Sequence, residues 1–255
     1  MTSEDNSTIK AILGLITFST ILPIKVNTSL KNTNRMLWLW PFIHLLVGIL
    51  GFAVAIIFSN ILNLSSLLTG ALVYGFLIIF NGFHHADGLM DMADGVMVCG
   101  NSEKKISVMK DSFTGSAGIA SFFLVGIVTV LGITSLIDYN FMIAIIIGEM
   151  VSKTSLLTTC ITSKSDARGT GALSINSVNI INYSTSLIVV LIISFVLGQF
   201  TGIIGVIGAM LAGAIISIIG RKNFKIANGD VLGASNEFGR MLSILLMVIF
   251  MSVAL

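Results

Sequence analysis

The sequence predicts an all-α fold: a polytopic transmembrane helix bundle of about seven spans, with a short N-terminal interfacial or re-entrant helix. Three observations carry that reading. Only 10% of the 255 residues are charged, 55% are hydrophobic, and the mean hydropathy is +1.00. A soluble domain usually has about 25% charged residues, so lipid must cover most of this surface. Long apolar segments recur along the chain, and the stretches joining them alternate between basic and non-basic.

The chain opens on a polar stretch, Met1–Lys10, that carries Glu4 and Asp5. The apolar segment Ala11–Ile24 is short, contains Pro23 and runs into Lys25 rather than a small-residue cleavage site. It therefore reads as an interfacial or re-entrant helix, not as a signal peptide. Seven longer apolar segments follow, at 37–59, 66–83, 117–137, 141–162, 184–198, 201–220 and 238–255. In lipid every backbone polar group needs an internal partner, so each must be helical.

Asn60–Ser65, Asp138–Asn140 and the turn around Gln199 are short and lack Lys and Arg. The other connections are longer and basic. They hold Lys25, Lys31 and Arg35; Lys104, Lys105 and Lys110; Lys164 and Arg168; and Arg221, Lys222 and Lys225. The positive-inside rule assigns these four to the cytoplasm. Seven spans then leave Leu255 outside. Residues 1–255 read as one integral membrane domain, with no room for a soluble one. The site is expected at the cytoplasmic face of the cell membrane, because the outer loops are too short to build it.

Composition also excludes some partners. The net charge is +2 and no basic run forms a nucleic-acid patch. Cys99 and Cys160 are far apart and form neither a metal motif nor a disulfide framework. Membrane lipid is the implied surroundings, and self-association as a homo-oligomer is left open.

The chemistry concentrates in residues 84–95. Asp87, Asp91 and Asp94 are spaced i, i+4, i+7 directly after an apolar span. On a helix that spacing puts three carboxylates on one face, and His84 extends the stripe by a turn. Like charges at i, i+4 cost a helix about 0.2–0.5 kcal/mol per pair, and lipid nearby raises the cost. A divalent cation between them would offset it. Mg²⁺ prefers oxygen ligands and is usually held by one or two carboxylates plus substrate phosphates. Asp87, Asp91 and Asp94 are therefore the expected metal ligands. The bland alternative is a solvated helix end, but such an end usually mixes Lys and Arg among its acids.

Three further groups lie at the same face or near it. Lys110, Ser112, Thr114 and the glycines Gly115 and Gly118 precede the third long span, where they could cradle a phosphate or merely cap a helix. Glu149 and Lys153 lie i, i+4 inside a span, as a functional pair or a structural ion pair. Asp230 and Glu237, at i, i+7 before the last span, could face the first acidic stripe across the bundle. His44, within a span, reads as a buried, hydrogen-bonded residue.

These blocks carry a family resemblance. Gly82-Phe83-His84-His85-Ala86-Asp87-Gly88, continuing through Asp91, Asp94 and Gly95, resembles the signature of cobalamin synthase, also called adenosylcobinamide-GDP ribazoletransferase. Lys110-Asp111-Ser112 with Gly115 and Gly118 resembles the family's basic-Asp-Ser segment. Gly229-Asp230-Val231-Leu232-Gly233-Ala234 with Glu237 resembles its C-terminal block, and Phe18–Pro23 its start. The blocks occur in the family's order over nearly the whole chain. Residues 160–183 match poorly, and His84 is an added histidine beside the matching His85.

The resemblance implies a Mg²⁺-dependent transferase of late cobalamin biosynthesis. It would join adenosylcobinamide-GDP to α-ribazole or α-ribazole 5′-phosphate, release GMP, and give adenosylcobalamin or its 5′-phosphate. The ribazole 5′-oxygen is the expected nucleophile. By position, Asp87, Asp91 and Asp94 would hold Mg²⁺. Asp94, His85, Asp111 and Lys110 would take part in catalysis. Lys110, Ser112, Lys153, Asp230 and Glu237 would bind substrate.

Other readings keep part of the pattern. A prenyltransferase would need a second Asp-rich segment, which residues 229–237 supply poorly. A CDP-alcohol phosphotransferase would need Asp-Gly-x-x-Ala-Arg where this chain has Asp87-Gly88-Leu89-Met90-Asp91-Met92. A cation-coupled transporter would place its acids near the midplane, in paired halves.

Overall fold

The computed structural model describes residues 7–111, 113–165 and 169–254. Two short helices come first, α1 (Thr8–Ser19) and α2 (Leu30–Asn34). The bundle then follows as α3 (Trp40–Ile56), α4 (Ser66–Phe80), α5 (His84–Met97), α6 (Ser102–Met109), α7 (Ser116–Asp138), α8 (Ala144–Thr162), α9 (Thr170–Ser177), α10 (Ile180–Phe224) and α11 (Gly229–Ala254). A lone β-bridge joins Ser165 to Ala227. The expected all-α membrane bundle is the fold observed.

The helix starts follow from capping chemistry. Ser7 caps α1, Ser65 caps α4, Asn101 caps α6 and Asn179 caps α10, each side chain accepting a backbone N–H three residues on. Asn228 does the same for the N–H of Val231 at the start of α11. Pro41 sits in the first turn of α3, where its missing N–H costs nothing.

Five helical segments are long and apolar enough to cross a membrane: Leu37–Ile61, Ser116–Asp138, Ala144–Thr162, Ile180–Phe224 and Gly229–Ala254. The 45 residues of α10 would reach about 67 Å if straight, over twice a hydrocarbon core. The helix instead breaks at Gln199, whose φ of 48° and ψ of −134° are non-helical. A methyl on Gly202 would strike the Ser194 carbonyl, so the two halves fold back on each other. They are the two segments expected on either side of Gln199.

The remaining expected span, α4, is 15 residues long and shorter than a span usually needs. It turns by 92° into α5. Consecutive positive φ values at Gly82 (68°) and Phe83 (62°) make that turn. The first suits glycine; the second is strained for an aromatic residue. Consequently α5 lies across the end of the bundle and not through it.

α8 is the central helix, with 94% of its best span window buried, and it packs against α3, α10 and α11. The four basic connections come together at one end. There Ala227 donates to the Lys164 carbonyl at 2.8 Å, and Lys105 Nζ donates to Asn223 Oδ1 at 2.9 Å. At the same end the Ile21 N–H donates to the Phe80 carbonyl at 2.9 Å, tying the chain after α1 to the end of α4. The short N-terminal helix is thus docked over the mouth of the bundle.

Candidate active site

Helix α5 carries the acidic stripe, and its position is set by glycines. A methyl on Gly88 would lie 2.9 Å from the Asp230 carbonyl oxygen and 3.2 Å from the Gly233 Cα. Side chains larger than hydrogen would push α5 and α11 apart. This close crossing brings Asp230, in the first turn of α11, against the stripe.

The three stripe carboxylates differ in surroundings. Asp87 is exposed, Asp91 is half-buried and Asp94 is buried. Asp94 accepts the N–H of Gly115 at 2.7 Å and of Gly118 at 2.8 Å, one on each oxygen. Its charge sits at the N-terminus of α7, where the helix dipole favours an anion. Burial, and then the charges of Asp87, Asp230 and Asp94, push the Asp91 carboxyl from 3.8 up to about 6. Asp230 is held by Asn228 Nδ2 at 2.8 Å.

Two cavities meet at this crossing. The first, about 460 Å³, is lined by Thr17, Phe18 and Ser19 of α1, by Trp40 and Asn81, by His84, His85 and Asp87, and by Thr170, Gly171 and Asp230, among others. The second, about 620 Å³, is lined by Lys110, Ile106, Phe224 and Asn228, among others. Both are walled by Thr170, Gly171, Gly229 and Asp230. Gly171 is obligatory there, because a methyl would strike the Asn228–Gly229 backbone.

Behind the first cavity runs a buried polar chain. Lys153 Nζ lies 2.7 Å from His85 Nε2 and 2.6 Å from Asn236 Oδ1. Asn236 Nδ2 donates to Glu237 at 3.0 Å. Arg240 bridges Glu237 and Glu149, donating from Nη1 to the first and from Nε to the second. Glu149 also meets His44 Nδ1 at 2.8 Å and Asn81 Nδ2 at 2.9 Å. Trp40 covers this end, its ring centroid 5.6 Å from Lys153 Nζ and 6.3 Å from the His85 ring.

The structure therefore brings His85, Asp87, Asp91, Asp230 and Lys110 to one end of the bundle, as the sequence implies. It places others differently. Lys153 is 0% exposed, lines neither cavity and stands behind His85. Glu237 is 2% exposed and is engaged by Arg240 and Asn236. Its i, i+7 spacing from Asp230 keeps it on the same stripe of α11 but about 10 Å deeper in the bundle. Glu149 pairs with Arg240, not with Lys153 at i+4. His44 is buried and hydrogen-bonded, as expected. Asp111 is exposed just beyond α6. Ser112, Asp166 and Arg168 lie outside the described residues.

Arg240 and Trp40 went unnoticed in the sequence, and Asn81 stood out only because the resembled family usually has a glycine there. Arg240 carried a usable signal, since an arginine inside an apolar span is a functional or structural marker by default. Trp40 and Asn81 look like ordinary residues at span ends.

The profile of the cobalamin-5-phosphate synthase family matches residues 11–248. This chain belongs to that family. Among curated relatives of the family member, the adenosylcobinamide-GDP ribazoletransferase of Pyrococcus abyssi is 33% identical over 229 residues, covering 89% of this chain and 93% of the relative. The enzyme of the same name from Thermococcus kodakarensis is 34% identical over 238 residues, covering 92% and 97%. That of Clostridium botulinum (strain Kyoto) is 27% identical over 247 residues, covering 95% and 98%. No solved structure matches the chain. The cobalamin-5-phosphate synthase match covers both glycine-mediated contacts of the site, Gly88 on Gly233 and Gly171 on Gly229.

Proposed function

We propose that this protein transfers the adenosylcobinamide phosphate moiety of adenosylcobinamide-GDP to α-ribazole or its 5′-phosphate, releasing GMP. The product is adenosylcobalamin or its 5′-phosphate, late in cobalamin biosynthesis. The observation that carries the reading, beside family membership, is the meeting of Asp87 and Asp230 in the wall of the first cavity, with Asp230 shared by the second and Asp91 close enough to feel both charges.

The donor set fits Mg²⁺. Asp87, Asp91 and Asp230 supply carboxylate oxygens beside His84 and His85, and among the described residues no three His, Cys, Asp or Glu side chains close into a metal cage. A protein-only zinc site would need such a cage. Mg²⁺ needs only one or two carboxylates when phosphates complete its shell. Asp87 and Asp91 would be the open ligands, with Asp230 beside them. Asp94, spent on two backbone N–H groups, acts by fixing α7 against α5. When bound, the ion supplies neutralisation of charge on the diphosphate oxygens.

The chain's own residues do the rest. Lys110 pairs with a phosphate oxygen. A protonated Lys153, 2.7 Å from His85 Nε2, would donate to it and leave the ring proton on Nδ1, where His85 serves as a hydrogen-bond donor and not as a base. In the transfer, a ribose oxygen bonds to the phosphorus next to cobinamide while the bond from that phosphorus to GMP breaks. A site carboxylate takes the hydroxyl proton. The 5′-oxygen expected as nucleophile does not suit an acceptor whose 5′-oxygen already carries a phosphate kept in the product. A ring hydroxyl of the ribose is the attacking group.

The protein works in the cell membrane with its site on the cytoplasmic side. The meeting of all four basic connections at the site end supports this. One copy carries every group named, so no second copy is required.

The test is incubation of purified protein with adenosylcobinamide-GDP, α-ribazole and Mg²⁺. GMP and a cobalamin product should form in equal amounts, and formation of neither would refute the proposal. The raised Asp91 carboxyl adds a pH prediction. Metal binding needs the ionised form, which is lost as pH falls through about 6. Mg²⁺ affinity, measured by calorimetry, should be constant above pH 7 and weaken by up to about tenfold per unit below pH 6. An affinity flat down to pH 5 would contradict it.

A further inference from the structure

The two cavities differ in what they can bind. Among the described residues the first is lined by no Lys or Arg; it carries Asp87 and Asp230 and is also lined by Phe18 and Trp40. Their rings are 6.0 Å apart, centroid to centroid, and tilted by 46°. Trp40 and Asn81 line this cavity, and each carries a buried polar atom without a hydrogen-bond partner, Trp40 Nε1 and Asn81 Oδ1, on side chains that are each 2% exposed. One is a donor and the other an acceptor. Buried polar atoms are ordinarily satisfied, and a small turn of either side chain toward the cavity would offer this pair to a ligand with both hydroxyls and ring nitrogens.

The second cavity shares Asp230 but adds a cation. Lys110 is the one Lys or Arg in its wall among the described residues. The start of α9 also faces it through Gly169 and Thr170, and among the described residues no side chain caps that helix. A helix start and a lysine favour an anion.

We propose that these cavities divide the two substrates: the Trp40–Phe18–Asn81 cavity takes the aromatic nucleoside part of the acceptor, and the Lys110 cavity takes the nucleotide half of the diphosphate donor. This rests on the transferase reading above. The shared wall supports it independently, because phosphoryl transfer needs nucleophile and leaving group roughly in line on opposite sides of the phosphorus. Asp230 stands in that wall, beside Asp87. The corrinoid, with its macrocycle and amide arms, is too bulky for either cavity and stays at the open mouth. Volumes of 460 and 620 Å³ both lie in the range of small-ligand pockets.

The experiment measures KM for each substrate separately, on the full-length protein in detergent. Trp40→Phe keeps the ring and removes only the Nε1 donor. It should raise KM for α-ribazole about tenfold, the worth of one hydrogen bond, and leave KM for adenosylcobinamide-GDP unchanged. Lys110→Gln should do the reverse and weaken inhibition by added GMP. Phe18→Ala, at the rim on α1, repeats the first test should Trp40→Phe fold poorly. Equilibrium dialysis of α-ribazole against protein without donor should show the same loss for both acceptor-side variants. If Trp40→Phe and Phe18→Ala move the donor's KM, or move both equally, the division of substrates is overturned while the reaction stands. A wild-type protein that forms no GMP removes the reaction and the division together.

Discussion

Asp91→Asn is expected to lose turnover by on the order of 10³-fold, the loss of several kcal/mol of metal-based stabilisation of the transition state. The same change should leave the fold intact or slightly firmer. Asp91 sits half-buried among the charges of Asp87, Asp230 and Asp94, so neutralising it relieves repulsion. Each relieved pair is worth about 0.2–0.5 kcal/mol on a helix surface. Activity and stability thus move in opposite directions, as expected where a site keeps a costly charge for its chemistry. Asp94→Asn is the informative contrast. Asp94 accepts N–H groups on both oxygens, and an amide has only one acceptor oxygen. That variant should lower the melting temperature as well as the rate. Rates of GMP release and melting curves of both variants, in one detergent, decide the matter. An Asp91→Asn protein with wild-type turnover would remove the metal from the mechanism, and one that fails to fold would remove the account of its charge.

The bundle was legible because lipid leaves the chain few choices. Apolar runs had to be helices, and the turns at Asn63, Asn140 and Gln199 fall within the short connections that carry no Lys or Arg. All three adopt positive φ, which asparagine tolerates and glutamine tolerates less. The bend between α4 and α5 was not legible. Gly82 hinted at it, but the left-handed Phe83 has no sequence signature, and an apolar run of normal composition gives no sign of ending early.

The site was legible where charge stood out against an apolar background. Asp87, Asp91 and Asp230 were found that way, and α5 does align the stripe. Depth along a helix was harder to see. Asp230 and Glu237 share a face of α11, yet one borders the cavities and the other lies inside the bundle. Residues 160–183 matched the family poorly, but Thr170, Gly171 and Ser174 come from that stretch and line the first cavity. Their contribution is backbone proximity, through Gly171 on Gly229, and small neutral residues announce nothing in a sequence.

Arg240→Met carries the largest expected effect on stability. Arg240 is 0% exposed and is the only cation bonded to both Glu149 and Glu237 among the described residues. Removing one partner of a buried ion pair costs about 3–5 kcal/mol, because it leaves the other charge uncompensated. Here two carboxylates would be left, within a span, with Tyr74, Asn81, Asn236 and His44 as neutral or weak partners. The protein should fail to accumulate or should melt far below wild type. Adding Glu149→Gln and Glu237→Gln to Arg240→Met removes the stranded charges and should recover most of the loss, as apolar or neutral replacement of a whole buried network often does. Melting curves of the single and triple variants separate this from simple loss of packing, since a cavity left by arginine would persist in both. The recovered protein then poses a second question. The network ends on Asn236, which holds Lys153, which holds His85. If the charges serve only the fold, the triple variant regains turnover along with stability. If they aim the histidine, stability returns and the rate does not.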